Sequence, residues 1–401
     1  MNTLLSAGII FTLLTILYCL YKWGNVICIG VTPVRTFTFI AILFTSGLDV
    51  GLIMFPLTEF AGYADTVANP EYSFSNPLAI EFAYWGFLIW GFYFLTSFYF
   101  CVIEPRVGFF AIPLVKWINN IVIVGTCAFT AFLLLTNLPW YFPQIGDGES
   151  IVMTFYVIVI AVILSAVFSS TDIKYVKILS LASTWLFLIL IAVMWFLAAM
   201  GPSEMLEAAN LIGNYFVNID KFILPLNDYH AFYLFWWFAW SIMIGQFTAR
   251  FVGGLRTWQV LAALLIFPSI PLAIWFSVLY FYHENGLDSS GLVAVSMVVV
   301  GITFVINSLD SLIRLYTDNL KLTAVKLGKV RYILGNLVLL CSLTMLFKMN
   351  FLEIQWVGAL VIGLYFSCFA YIIIKKRKEV AAITSSPKDR VLDFDKINNI
   401  N

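Results

Sequence analysis

Eleven long apolar stretches divide this chain and leave little room for any other kind of structure. A helix needs about 20 apolar residues to cross the hydrocarbon core of a bilayer, and each stretch is close to that length. Of the 401 residues, 62% are hydrophobic and 11% are charged, whereas about a quarter of a soluble protein is charged. The sequence therefore predicts an all-α integral membrane protein and excludes a soluble enzyme. The stretches run near residues 5–22, 35–57, 80–103, 115–137, 150–169, 176–199, 231–252, 258–282, 291–315, 328–347 and 353–375.

The basic residues indicate how these helices are oriented. With the N-terminus outside and the C-terminus inside, 20 of the 22 lysines and arginines lie on the inner side, and only Lys221 and Lys348 lie outside. Basic residues gather on the cytoplasmic side of membrane proteins. We therefore expect a multi-pass protein of the cell membrane with a cytoplasmic tail at 376–401. The first stretch lacks a basic segment before it, so we interpret it as a retained helix rather than a signal peptide.

The longest outer loop, near residues 201–230, contains a further predicted helix. Its segment from Ser203 begins like a capped, amphipathic helix. We expect this helix to lie along the outer interface of the membrane. The net charge of zero indicates no nucleic-acid partner.

Two acidic residues stand out inside apolar stretches, where charge is costly and often functional. Asp49 lies between Gly47 and Gly51, and glycines weaken a helix. The second stretch is therefore predicted to be unwound in mid-membrane, as in transporters whose broken helices line a cavity. Alternatively, the glycines allow close helix packing and Asp49 bonds to a neighbouring helix. The other acidic residue, Asp310, has a simple alternative interpretation as the partner of Arg314, four residues further on.

Two clusters of aromatic residues lie in different stretches. One contains Trp85, Trp90 and Tyr93, and the other contains Trp236, Trp237 and Trp240. Tryptophan in membrane helices commonly forms belts at the interfaces, but Trp90 lies nearer the middle of its stretch. The alternative is an aromatic cage that binds a quaternary ammonium group through cation–π attraction.

These clusters resemble those of the betaine/choline/carnitine transporters. In that family one helix carries a Trp–Trp–Tyr box, matched here by Trp85, Trp90 and Tyr93. Another helix carries a Trp-Trp-x-x-Trp motif followed by a G-x-F-x-A-R segment, matched by Trp236–Trp240 and Gly245–Arg250. Shorter similarities occur at Ile274–Val278 and Lys177–Ser180, and the resemblance extends over residues 15–375.

The resemblance implies a LeuT-type fold with two inverted repeats of five helices. The ten-helix core would span 31–375, with repeats at about 35–199 and 231–375, and residues 1–30 would form a peripheral helix. Family members usually have twelve helices, so one peripheral helix is expected to be absent at the start. The family is commonly trimeric, which makes a homotrimer the expected assembly.

The sequence departs from the family at the expected ion site. The family's glycine-rich segment Gly-Met-Gly-Ile-Gly is here Gly47-Leu-Asp-Val-Gly51. The resemblance implies an altered sodium site, whose residues would be Leu48, Asp49, Phe304, Asn307 and Ser308. Asp49 would instead pair with the ammonium group of the substrate, or carry a coupling proton.

The sequence and the resemblance together favour a secondary transporter that imports betaine, choline or carnitine by cation-coupled symport with alternating access. Its substrate site would contain Trp85, Trp90, Tyr93, Trp236, Trp237, Trp240 and Asp49. No cofactor is expected beyond a coupling ion, either sodium or a proton. The alternatives are a transporter-like sensor or channel that binds solute without concentrating it and, less in keeping with the sequence, an intramembrane enzyme.

Overall fold

The computed structural model describes residues 1–36, 38–40, 44, 50–146 and 152–384. Within these ranges the chain is almost entirely helical. The first half contains α1 (Asn2–Trp23), α2 (Val50–Met54), α3 (Pro56–Ala64), α4 (Pro77–Trp85), α5 (Leu88–Phe98), α6 (Glu104–Val107), α7 (Pro113–Tyr141), α8 (Met153–Ser169) and α9 (Ile173–Leu197). The second half contains α10 (Pro202–Val217), α11 (Asp228–Ala249), α12 (Thr257–Ile266), α13 (Ser269–Glu284), α14 (Gly291–Asn319), α15 (Ala324–Leu327), α16 (Lys329–Lys348), α17 (Ile354–Lys375) and α18 (Arg377–Ala381).

Eight helical segments of the described chain are long and apolar enough to cross a membrane. They are Asn2–Trp23, Pro77–Val107, Pro113–Tyr141, Ile178–Leu197, Thr257–Glu284, Gly291–Asn319, Lys329–Lys348 and Ile354–Lys375. Two other predicted stretches form α8, with 17 residues, and α11, with 22 residues. The remaining predicted stretch, 35–57, lies partly outside the described residues. The prediction of an all-α integral membrane protein is confirmed.

The helix α11 forms the centre of the bundle. It is buried along almost its whole length, from His230 to Ala249. It packs against α5 and α17 and also contacts α7 and α1. Because neighbours surround it, its tryptophans face protein rather than lipid.

A short antiparallel strand pair, which the sequence analysis did not predict, connects two distant parts of the chain. Strand β1 (Ile27–Ile29) follows α1, and strand β2 (Gly253–Arg256) follows α11. Cys28 lies opposite Leu255, and the backbone N–H of Thr257 donates to the carbonyl of Val26 at 2.8 Å. These bonds tie the end of α1 to the end of α11.

The third predicted stretch forms one membrane-length segment whose helix is interrupted between α4 and α5. Gly86 is extended, with φ −104° and ψ 173°, and Phe87 has a positive φ of 41°, which is uncommon for a residue with a side chain. The N–H of Phe87 donates to the Ser269 hydroxyl at 3.0 Å, and that of Leu88 to the Tyr215 hydroxyl at 3.3 Å. Side chains from α13 and α10 thus satisfy backbone donors that the interruption frees.

The predicted helix in the 201–230 loop is present as α10, which packs against α4 and α13. Its start differs from the prediction. The N-cap is Gly201, which has no side chain to accept a hydrogen bond, and Ser203 donates instead to the Glu204 carboxylate at 2.9 Å. The helix begins at Pro202. Its missing N–H costs nothing there, because the N–H of the first helical residue has no partner within the helix.

The close contact between α17 and α11 gives a testable expectation for stability. A Cβ atom added at Gly358 would lie 2.3 Å from the backbone carbonyl oxygen of Phe235, whereas one at Gly363, on the same helix, would meet open space. Overpacking typically costs about 1–3 kcal/mol. We expect Gly358→Ala to lower the thermal midpoint of the purified protein and Gly363→Ala to leave it unchanged or slightly raised. Equal midpoints for the two variants would contradict this account of the helix contact.

Candidate functional site

The six aromatic residues of the two predicted clusters all lie in the protein interior. Trp85 is the last residue of α4, Trp90 and Tyr93 belong to α5, and the other three belong to α11. Each is at most 1% exposed. A belt at the membrane interface would leave such rings on the lipid-facing surface, so the belt interpretation is wrong for these residues.

Five of these rings form one continuous cluster, which we call the aromatic cluster: Trp85, Trp90, Tyr93, Trp236 and Trp237. Trp85 contacts Trp236 and Trp237 edge-on, with centroid distances of 5.4 and 5.1 Å, and these two indoles stack at 5.0 Å. Tyr93 contacts Trp90 at 5.3 Å and Trp237 at 6.3 Å. The cluster therefore joins α4 and α5 to α11.

Trp240 lies one turn further along α11 and stays apart from the cluster. It is buried, but it makes no aromatic ring contact within the described part of the chain. The structure therefore places it on the same helix as Trp236 and Trp237 without bringing its ring to theirs.

Two further aromatic residues, not predicted from the sequence, complete the surroundings of Trp85 and Trp236. The ring of Tyr233 is 5.6 Å from each of these indoles. The ring of Phe55, which follows α2, is 6.1 Å from each. The position of Tyr233, three residues before Trp236, is a helical spacing that would have indicated a shared face. Phe55 comes from another part of the chain and gave no such signal.

The helix interruption supplies a hydrogen bond that fixes one indole. The Trp237 Nε1–H donates to the carbonyl of Tyr84, at the end of α4, at 2.8 Å. Trp85, Trp90, Trp236 and Trp240 also have buried Nε1 atoms, and none of these has a hydrogen-bond partner among the described residues. Buried donors are normally satisfied, so the N–H groups of Trp90, Trp236 and Trp240 are available to a bound acceptor or to water, whereas the Trp85 indole lies beside the Glu81 carboxyl.

Gly51 lets α2 approach the aromatic cluster closely. A Cβ atom there would lie 2.4 Å from the Trp85 ring and 3.0 Å from the Trp236 ring. This contact agrees with the alternative in which the glycines of this stretch serve close packing. Gly47, Leu48 and Asp49 lie outside the described residues, so the unwinding of the stretch and the roles of Leu48 and Asp49 remain predictions.

The three residues of α14 in the expected ion site lie on one buried face. Phe304, Asn307 and Ser308 have no exposed surface, and their spacing of three and four residues places them on the same side of a helix. The Asn307 side-chain oxygen accepts a hydrogen bond from the Ser180 hydroxyl at 2.9 Å. Their role in holding an ion remains a prediction.

Asp310 is buried, as the alternative interpretation expects, but among the described residues it forms no ion pair with Arg314. The buried Asp310 carboxyl accepts hydrogen bonds from Ser169 at 2.5 Å and from Ser311 at 3.2 Å. Arg314 pairs with Asp318 at 3.8 Å, and Arg250 reaches the same carboxylate at 3.7 Å. The helix spacing alone allowed either acidic residue as the partner of Arg314.

The fold defines the class of the protein as an all-α, multi-pass membrane protein, and its relatives among curated proteins are transporters by name. Glycine betaine transporter 1 of Vibrio parahaemolyticus is 24% identical over 311 residues, covering 68% of this chain and 59% of the relative. Glycine betaine transporter OpuD of Bacillus subtilis is 24% identical over 280 residues, covering 59% of this chain and 53% of the relative. An uncharacterized transporter of Haemophilus influenzae is 28% identical over 299 residues, covering 64% of this chain and 44% of the relative. No family model matches the chain.

The relatives named above support the resemblance to the betaine/choline/carnitine transporter family. It spans about half of the length of the curated relatives that it matches, between 44% and 59% for the three above.

Proposed function

We propose that this protein is a secondary transporter that imports a quaternary-ammonium solute of the betaine, choline or carnitine type. The observation that carries the proposal is the aromatic cluster, in which rings from α4 and α5 meet rings from α11 in the interior of the bundle. A methylated ammonium group is attracted to the face of an indole or phenol ring, most strongly where water is excluded. The names of the relatives point to the same solutes.

The polar groups around the cluster suit the remainder of such a solute. The unpaired indole N–H groups, for example that of Trp236, can donate hydrogen bonds to the carboxylate of a betaine. Asp49, whose placement is outside the described residues, would instead favour a cationic solute without a carboxylate, such as choline. Both solutes therefore belong in a transport assay.

The proposed mechanism is alternating access within a ten-helix core of the LeuT type. Trp85, Trp236 and Trp237 touch one another directly, at centroid distances of 5.0–5.4 Å. Because these contacts leave no space for an ammonium group between the three rings, binding requires them to separate. Movement of α4 and α5 against α11 would open the cluster.

The coupling ion is proposed to be sodium or a proton. A sodium ion would be held by Phe304, Asn307 and Ser308 on α14 together with Leu48 and Asp49, and a proton would be carried by Asp49. In the bilayer, the orientation proposed from the basic residues places the N-terminus outside and the C-terminus in the cytoplasm. A homotrimer is the proposed assembly.

The deciding measurement is the uptake of labelled glycine betaine and choline into proteoliposomes with an imposed sodium or proton gradient. We expect accumulation of at least one solute above its external concentration, driven by one of the two gradients. Replacing Asp49 with asparagine is expected to lower this accumulation and to change its dependence on pH or sodium. Uptake equal to wild type in Asp49→Asn would remove Asp49 from all three proposed roles, in solute pairing, sodium binding and proton coupling.

A sensor or channel is the second candidate because positions 48 and 49 depart from the family's glycine-rich segment, and Asn307 replaces the threonine that the family resemblance implies in the sodium site. Counterflow distinguishes it from a transporter. A transporter exchanges internal unlabelled solute for external labelled solute, whereas a sensor binds the solute without exchange, and a channel lets it equilibrate without accumulation. Binding without counterflow would overturn the proposed transport.

A further inference from the structure

Two glutamates meet in the interior at the end of α4 where it approaches α3 and the start of α11. Glu59 lies on α3 and is 8% exposed, and Glu81 lies on α4 and has no exposed surface. The Glu81 carboxyl lies close to the Glu59 carboxyl, and Tyr63 and Trp85 also lie beside it. The orientation proposed above places this pair on the outer side of the bundle.

The Glu59 carboxylate is held by tyrosine hydroxyl groups. Tyr63 donates to one oxygen at 2.7 Å, and Tyr233 donates to the other at 2.8 Å, where Tyr229 also donates. An ionised carboxylate accepts hydrogen bonds and has none to donate. Three phenol donors on one carboxyl group therefore indicate that Glu59 is the ionised member of the pair.

Glu81 has fewer hydrogen-bond donors, because the Tyr63 hydroxyl beside it donates to Glu59. Neither of its oxygens accepts a hydrogen bond from the described residues, although both are buried. A second negative charge beside Glu59 in a region of low dielectric would be strongly unfavourable. A proton on Glu81 removes that charge and gives the pair the donor that it otherwise lacks.

The groups around the pair offer no positive charge to replace a proton. On α11, His230 lies nearby, but its Nδ1 accepts the N–H of Leu226 at 3.1 Å and therefore carries no proton itself. Tyr72 and Tyr84 bond to each other at 3.2 Å. Among the described residues, neither glutamate forms an ion pair with lysine or arginine.

The helices α13 and α10 also pack against α3 and α4, and their titratable groups contact other residues. Tyr280 and His283 of α13 lie against the ring of Phe60, at 5.2 and 5.6 Å. Tyr215 of α10 lies against Phe82 at 5.3 Å. The acidic pair is thus enclosed by phenol and phenyl rings rather than by cations.

We propose that Glu59 and Glu81 form a proton-binding site, in which Glu81 holds one proton and donates it in a hydrogen bond to the Glu59 carboxylate. When the pair loses this proton, the O–H bond of Glu81 breaks, the proton passes to water, and both groups become carboxylates. Binding of one proton therefore lowers the negative charge of the pair by one unit.

The proton site adjoins the aromatic cluster. The Trp85 indole lies beside the Glu81 carboxyl, four residues along α4. Tyr233 donates to Glu59, and its ring is 5.6 Å from Trp85. Loss of the proton therefore places a negative charge next to the rings, which favours a cation bound there. This consequence rests on the proposed function, whereas the proton site itself does not.

Infrared difference spectroscopy on the purified full-length protein, without solute, tests the proton site. Spectra of wild type and of Glu81→Gln are recorded from acidic to alkaline pH in H₂O and D₂O. We expect the wild-type minus variant spectrum to contain the C=O band of a protonated carboxylic acid at neutral pH, with a shift in D₂O. Glu207→Gln, a change at an exposed glutamate on α10, serves as the control and should leave no such band at neutral pH.

A second variant identifies the hydrogen-bond partner of Glu81 and still tests the proposal if Glu81→Gln does not fold. Glu59→Gln removes the ionised acceptor, so the band of Glu81 should move to a frequency typical of a weaker hydrogen bond. A difference spectrum without a carboxylic-acid band in Glu81→Gln, or an unmoved band in Glu59→Gln, would overturn the proposal. If Glu81→Gln does not fold, the Glu59→Gln spectrum alone decides by whether the wild-type band moves.

The link to the aromatic cluster is tested separately by tryptophan fluorescence titration with choline. We expect choline affinity to rise with pH in wild type and to be independent of pH in Glu81→Gln. If the infrared result holds and neither choline, glycine betaine nor carnitine binds, the proposed function fails while the proton site stands. If choline binds with the same pH dependence in both proteins, the link between the two sites is wrong.

Discussion

Replacing Trp237 with leucine is expected to weaken binding of glycine betaine or choline by about thirtyfold, since a desolvated cation–π contact contributes about 2 kcal/mol. The Trp237 ring contacts three members of the aromatic cluster, and its N–H is bound to the Tyr84 carbonyl. Leucine fills part of the volume and removes both the ring and the hydrogen bond. Equilibrium binding of labelled solute to purified protein measures the effect.

A matched control separates binding from packing. Trp195 on α9 also donates its indole N–H to a backbone carbonyl, that of Met200 at 2.8 Å, but it lies outside the cluster. Trp195→Leu should lower thermal stability without changing solute affinity. Trp237→Phe, which keeps a ring and loses the hydrogen bond, should fall between wild type and Trp237→Leu. Unchanged affinity in Trp237→Leu would remove Trp237 from the binding site.

Replacing Gly51 with alanine is expected to lower both stability and solute binding. The added Cβ would lie 2.4 Å from the six-membered part of the Trp85 indole, which is too close for any contact between carbon atoms. Either the Trp85 ring or α2 must therefore shift, which disturbs the packing of the aromatic cluster. We expect the free energy of unfolding to fall by about 2 kcal/mol, measured as a lowered thermal midpoint, with a parallel loss of affinity.

Two companion variants make this expectation specific. Gly62→Ala on α3 adds a methyl group where nothing lies within 4 Å, and it should leave stability and binding unchanged. Combining Gly51→Ala with Trp85→Phe removes the ring atoms that clash, so the two stability effects should not add. Additive losses would mean that Gly51 is not in contact with Trp85 as the structure describes.

Local patterns were sufficient to predict the aromatic cluster in part. Trp236 and Trp237 are adjacent on one helix, and the spacing of Trp90 and Tyr93 places them on a common face. The position of Trp85 could not be derived in this way, because the helix is interrupted at Gly86 and Phe87. The interruption depends on Ser269 and Tyr215, which belong to distant helices.

Apolar runs of the length of a bilayer were enough to establish the class of protein. A helix satisfies its own backbone hydrogen bonds, so a chain that must cross lipid repeatedly has few other structures open to it. The amino-acid sequence by itself therefore determined an all-α membrane protein with buried aromatic clusters. The meeting of Glu59 with Glu81, the donation of Tyr229 and Tyr233 to Glu59 and the approach of Gly51 to Trp85 were decided only by the tertiary structure. Each of these contacts joins residues of different helices, and side-chain spacing within one helix carries no information about which neighbour it will face.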